Sequence, residues 1–235
     1  MTCFGEKTAW WAFQTTDVDR VRELVLGPSR GRPIDWDAGV TASYEGSLLV
    51  TPAIDGFVLA TSTTWLDLWR DNEMSERATD WVDRTGWAIQ YYASDRITSF
   101  YGWGRLDEDF TGHRELVKHA DDCIDNLGTI TAAERALVAA LLRDGAPFGF
   151  PDADIRSRAL DRACAALAAF EVSLAGATVR RGPLADTPPD DVPTLAALLV
   201  AIGPDHVASR WSVDPNTLDE RDPAVPGPCW VGDPS

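Results

Sequence analysis

Ten tryptophans occur in 235 residues, and seven of them, Trp10, Trp11, Trp36, Trp65, Trp69, Trp81 and Trp87, fall within the first 87 positions. An indole is a large apolar plate with a single N–H to satisfy. At roughly 150–250 Å² and about 25 cal/mol/Å², burying one stabilises a fold by at most roughly 4–6 kcal/mol. A chain loaded in this way at one end is expected to wrap that end around an aromatic interior. Indoles also act as anchors on binding surfaces, so the count sets the size of the aromatic investment and leaves each ring's use open.

The formal net charge is −16, divided into −10 over residues 1–127 and −6 over the remainder. A field of that sign repels nucleic acid and anionic membranes and steers a basic protein toward the surface. Cations are 19 Arg and only Lys7 and Lys118, a usage that fits a GC-rich bacterial genome. Cys3, Cys123, Cys164 and Cys229 include no C-x-x-C pair, which argues against a zinc or dithiol signature. The segment Met1–Trp11 carries Glu6 and Lys7 and lacks the apolar stretch of a secretory leader. No run approaches the ~18 apolar residues of a membrane span. The expectation is a cytoplasmic protein with reduced thiols and no cofactor.

Local patterns give an α+β reading. "AWWAFQ" at 9–14 predicts a strand. A helix then follows, capped by Thr16 with Asp19 three residues on, its stripe of Val18, Val21, Leu24 and Val25 stopped at Gly27-Pro28. Residues 28–39 read as loop and Val40 to Thr61 as β. Asp55-Gly56 is a hairpin turn, and Pro52 marks an edge strand or a strand end. Ser75 to Gly86 predicts a helix capped by Ser75. Residues 87–106 predict a hairpin turning at Ser94-Asp95, and His113–Ala120 predicts one more strand. Thr131 and Glu134 form a capping box opening a helix over 131–143, and further helices are expected over 154–175 and 191–202. Together these predict an antiparallel sheet built from hairpins in the N-terminal half (1–126), packed with helices mostly from the C-terminal half (127–218). A Pro-rich tail, 219–235, is expected to lie extended on the surface.

Three stretches, "LLVTPAIDGFVLATS" at 48–62, "IQYYASDRITSFYGWGRL" at 89–106 and "VASRWSVDPNTL" at 207–218, form a set. It resembles a bacterial protein family with a T-P-P-x-D-G-W strand pair, an F-F-x-x-x-R-V hairpin ending in W-A-R, and a C-terminal W-S-[VI]-D-P. This chain has Ala53, Phe57 and Gly104 where that pattern has Pro, Trp and Ala. The resemblance implies one continuous fold from residue 1 to about 218 that includes Trp211. It implies no reaction, cofactor or catalytic residue.

No set of residues converges on catalysis. His113, His119, Asp121, Asp122 and Cys123 are all competent metal ligands. On a strand, however, the two imidazoles stand about 20 Å apart, so no metal site is expected. There is no G-x-S-x-G and no glycine-rich phosphate loop. Three readings remain, the last of them a structural or assembly subunit whose exposed Trp residues mark an oligomer interface. The first is a non-enzymatic acidic protein that binds a basic protein partner, in its sharpest form an immunity protein neutralising a toxin, with Asp107, Glu108, Asp109, Asp121 and Asp122 as contact candidates. The alternative is a small-molecule enzyme or sensor with an aromatic pocket near Arg96, formed with Tyr91, Tyr101 and Trp103. An Arg beside a turn suits a carboxylate or phosphate ligand.

Overall fold

The computed structural model describes residues 7–70, 73–95, 100–108, 112–119, 124–144 and 227–233, with the single positions Leu199, Pro204, Val207, Ala208 and Ser212. In chain order the elements are β1 (Lys7–Phe13), α1 (Val18–Leu26), β2 (Arg32–Ile34), α2 (Trp36–Tyr44), β3 (Leu48–Ile54), β4 (Phe57–Ser62), α3 (Trp65–Arg70) and α4 (Glu73–Thr85). They continue with β5 (Ile89–Asp95), β6 (Phe100–Leu106), β7 (Arg114–Lys118), β8 (Ile124–Leu127), α5 (Ala132–Asp144) and β9 (Cys229–Gly232). The strands form one sheet in the order β2-β9-β3-β4-β1-β5-β6-β7-β8, every neighbouring pair antiparallel. The fold class is α+β.

β1 explains the architecture. From Thr8 to Phe13 every residue is buried, which a strand achieves only when both sheet faces are covered. Successive side chains alternate faces. Trp10 therefore enters a core with Tyr92, Trp103, Leu116, α2 (Trp36, Val40), α5 (Leu137, Val138) and Leu199, Val207 and Ala208. Trp11 enters the opposite core with Val21 and Val25 of α1, Trp65 of α3 and Ala78 and Trp81 of α4. Trp10 stacks on Tyr92 with centroids 4.9 Å apart, while Trp11 meets Trp81 at 4.7 Å and Tyr91 at 5.3 Å. Six of the eight tryptophans whose side chains are described are buried, so the indoles serve chiefly as interior.

Several local expectations hold. Asp55 (φ 49) and Gly56 (φ 85) turn the β3–β4 hairpin with two positive φ values, the I′ geometry. The Thr131–Glu134 capping box forms in both directions: Glu134 N donates to Thr131 Oγ1, and Thr131 N donates to Glu134 Oε2. Gly86 (φ 69) follows α4.

Others are corrected. The cap of α1 is Asp17, which accepts from Arg20 N, rather than Thr16. α4 begins at Glu73, placing Ser75 inside the helix. Residues 28–39 are not all loop, since β2 and the first turn of α2 lie there. Val40 to Tyr44 is helix rather than strand, because Asp35 accepts from Ala38 N and starts a helix burying Trp36, Val40 and Ser43. Ser94 and Asp95 are not the turn; they pair with Tyr101 and Phe100 within the ladder. Pro52 does not end β3 or put it at the edge. It sits in a register shift between Val50 and Ala53, just beyond the β9 pairing, which stops at Val50. Thr51 Oγ1 fills that bulge by accepting from Leu59 N.

The Pro-rich tail is the largest correction. Residues 229–232 are β9, inserted between β2 and β3, with Cys229 and Val231 buried. Four of the five described helices precede residue 86, so the helical cover begins in the N-terminal half. The helices expected over 154–175 and 191–202 lie outside the described residues, apart from helical Leu199.

Candidate functional site

The structure places Tyr91 and Trp103 in opposite cores. Tyr91 and Tyr92 are adjacent on β5 and therefore face opposite cores. Tyr91 belongs to the core beneath α3 and α4, whereas Trp103 belongs to the core beneath α2 and α5. Tyr101, two residues before Trp103 on β6, shares Trp103's face and is half-buried. Arg96 lies outside the described residues.

Tyr91 and Trp103 are each tied up in interior hydrogen bonds. Tyr91 stands across from Gly104, which stands across from Glu115. The Tyr91 ring lies over Gly104, where a Cβ would meet its Cζ at 2.2 Å. The missing side chain lets the phenol reach the next strand, where Oη donates to Glu115 Oε2 at 2.8 Å and lies 3.4 Å from His113 Nε2. Burial, and then the Glu115 carboxylate, push the Tyr91 phenol well above its ordinary pKa. That is the opposite of what a tyrosine nucleophile or base requires.

Trp103 Nε1 donates to Glu134 Oε1 at 3.0 Å. The same fully buried carboxylate accepts from Arg114 Nε at 3.1 Å through both oxygens and from Thr131. Arg114 Nη1 donates to the carbonyls of Glu115 and Leu127. This network locks β6, β7, β8 and the start of α5 together. Ser212 Oγ hydrogen-bonds Tyr92 Oη at 2.9 Å, which holds Ser212 against the sheet.

Of the acidic candidates, Asp107 is half-buried and accepts from Arg105 Nε at 2.7 Å, and Glu108 is exposed. Asp109, Asp121 and Asp122 lie outside the described residues, as does Cys123. His113 and His119 sit at opposite ends of β7, where His119 Nε2 meets Asp125 Oδ2 at 2.7 Å. Among the described residues no three His, Cys, Asp or Glu side chains gather to hold a metal. No described helix is long and apolar enough to cross a membrane.

Two surface features lie outside the candidates that the sequence offers. One is the outward face of α4. Glu73, Glu76, Asp80 and Asp83 follow each other at helical spacing and are all exposed, opposite the buried Met74, Ala78, Trp81 and Val82. Asp80 pairs with Arg84, while Glu73, Glu76 and Asp83 make no ion pair among the described residues. That spacing was legible in the sequence. The other is a cleft of about 410 Å³ at one end of the sheet, lined by Gln14, Gly86, Trp87, Ala88, Arg105, Asp107 and Glu108. Its walls come from three separate segments, so no local pattern announces it.

A scan against protein-family models finds no match, and neither the curated proteins nor the solved structures contain a match to this chain.

Proposed function

We propose that this is a non-enzymatic binding protein that holds a basic protein partner against its acidic surface. Its sharpest form is an immunity or inhibitor protein that covers the cationic site of a bacterial toxin. The observation that carries the reading is the face of α4, where four exposed carboxylates are arrayed on a helix whose other side is fixed in the core. A fixed row of carboxylates in which, among the described residues, only Asp80 is paired, to Arg84, on a molecule of net charge −16, accelerates encounter with an oppositely charged surface and selects against like-charged ones. The interior roles of Tyr91 and Trp103 add support, because the ring systems most suited to a catalytic pocket are already used in packing.

The test is affinity capture from lysate of the producing cells, at about 0.1 M and about 1 M salt, across which the screening length falls from about 10 to 3 Å. A single basic protein should be retained in stoichiometric amount at low salt. It should be released at high salt and lost when Glu73, Glu76 and Asp83 are all changed to Lys. Failure to retain a stoichiometric basic protein, or retention indifferent to both salt and charge reversal, overturns the reading.

A further inference from the structure

We infer that the cleft formed by Gln14, Trp87, Arg105, Asp107 and Glu108 is a guanidinium-binding site, seating an arginine side chain of the basic partner; the identity of that source rests on the partner reading above. At about 410 Å³, the cleft lies within the ~300–1,000 Å³ range of small-ligand sites. It has room for a long side chain rather than for an element of secondary structure. Its walls are set by the backbone. Gln14 N donates to Ala88 O at 3.0 Å, Trp87 N donates to Thr85 Oγ1 at 3.2 Å, and Gly86 turns the chain at φ 69. A site preset in this way costs little ordering when it is filled.

The charges choose the ligand. The lining holds two carboxylates and one guanidinium. Arg105 is already engaged by Asp107 through its Nε, whereas Glu108 is exposed with no partner among the described residues. An entering anion would face Glu108 and would have to compete with Asp107 for Arg105. An entering cation is attracted by Glu108 and meets the half-buried indole of Trp87. Guanidinium on indole is a contact this molecule already uses twice: Arg22 lies 4.5 Å from the Trp230 ring centroid and Arg77 5.9 Å from that of Trp81. A planar guanidinium can stack on Trp87 while its edge meets Glu108, which a compact ammonium does less well.

The test follows the Trp87 indole N–H signal of the full chain by ¹⁵N NMR during titration with N-acetyl-arginine amide. A saturable shift with a dissociation constant on the order of millimolar is expected, and a weaker one with N-acetyl-lysine amide. Glu108→Gln should weaken binding about threefold to fivefold, the size an exposed ion pair carries. Arg105→Gln removes a repelling charge and should strengthen binding. Trp87→Leu, followed through backbone amides of residues 86–88, should weaken it. Unchanged signal dispersion in each variant shows that the fold is intact. No saturable shift, or loss of binding in Arg105→Gln, overturns the site.

Capture of a basic partner without any arginine titration overturns the site and leaves the partner reading standing. Titration without a captured partner does the reverse. Titration together with partner capture that ignores Glu108→Gln and Trp87→Leu overturns the assignment to the partner's arginine, in favour of a free guanidinium compound.

Discussion

Single side chains here are chosen by what lies across from them. Trp10 and Trp11 fill opposite cores, and both Nε1 atoms are buried without an acceptor among the described residues. Gly104 has no side chain because Tyr91 occupies its space. Gly104→Ala should therefore destabilise by about 1–3 kcal/mol, measured by urea unfolding. On a Tyr91→Ala background the same change should cost almost nothing, and equal costs in both backgrounds would refute the close approach.

Glu134 is fully buried and joins Arg114, Trp103 and Thr131. Glu134→Gln leaves the Arg114 charge uncompensated and should cost about 3–5 kcal/mol in the same measurement. Cys229 is buried near Asp35, and burial first, then the Asp35 charge, push its thiol from 9.0 to about 12. Its folded pKa lies above its unfolded one, so the stability it contributes is fully present below pH 9 and is lost as pH rises toward about 12. Cys229→Ala should flatten the alkaline limb of the stability–pH profile over that window; an unchanged slope would rule the thiol out as its cause.

At the level of elements, pairing partners decide what a segment becomes. "CWVG" is only four residues beside prolines, yet as β9 it supplies β2 with its strand neighbour among the described residues and extends the sheet beyond β3. Truncation after residue 226 should therefore do more than trim a tail. It removes Cys229 and Val231 from the cores, at about 1.5–3 kcal/mol for a large apolar side chain, and uncovers the edge of β3. Loss of near-UV circular dichroism with dye binding to exposed apolar surface is the expected result; a native spectrum would contradict it. β3 shows the same dependence. Its bulge moves the inward-facing positions from odd to even numbers, so that Leu49 and Ile54 reach one core.

Across the whole molecule, one sheet carries two cores, and β1 contributes to both. Neither face can be lost while the other keeps its strand. Denaturant unfolding should thus be a single transition, coincident by tryptophan fluorescence and far-UV circular dichroism. Two resolved transitions would mean that the faces are separable. The charge of −16 belongs to this scale too. It is distributed over the surface, and the fold decides which carboxylates stand in a row.

Local chemistry alone determined the β1 strand, the Asp55-Gly56 hairpin, the Thr131–Glu134 cap, the apolar side of α4 and the α+β class. Each depends on residues within a few positions of one another. The α2 helix was also encoded locally, by Asp35 and the spacing of Trp36, Val40 and Ser43, but Val, Thr and Gly39 in it mimic a strand-and-turn pattern. Only the tertiary structure decided that 229–232 is a strand, that Tyr91 and Trp103 point to different cores, and that Gln14, Trp87 and Arg105 share a cleft. Those outcomes depend on contacts between segments far apart in the chain, whose energies no local periodicity records.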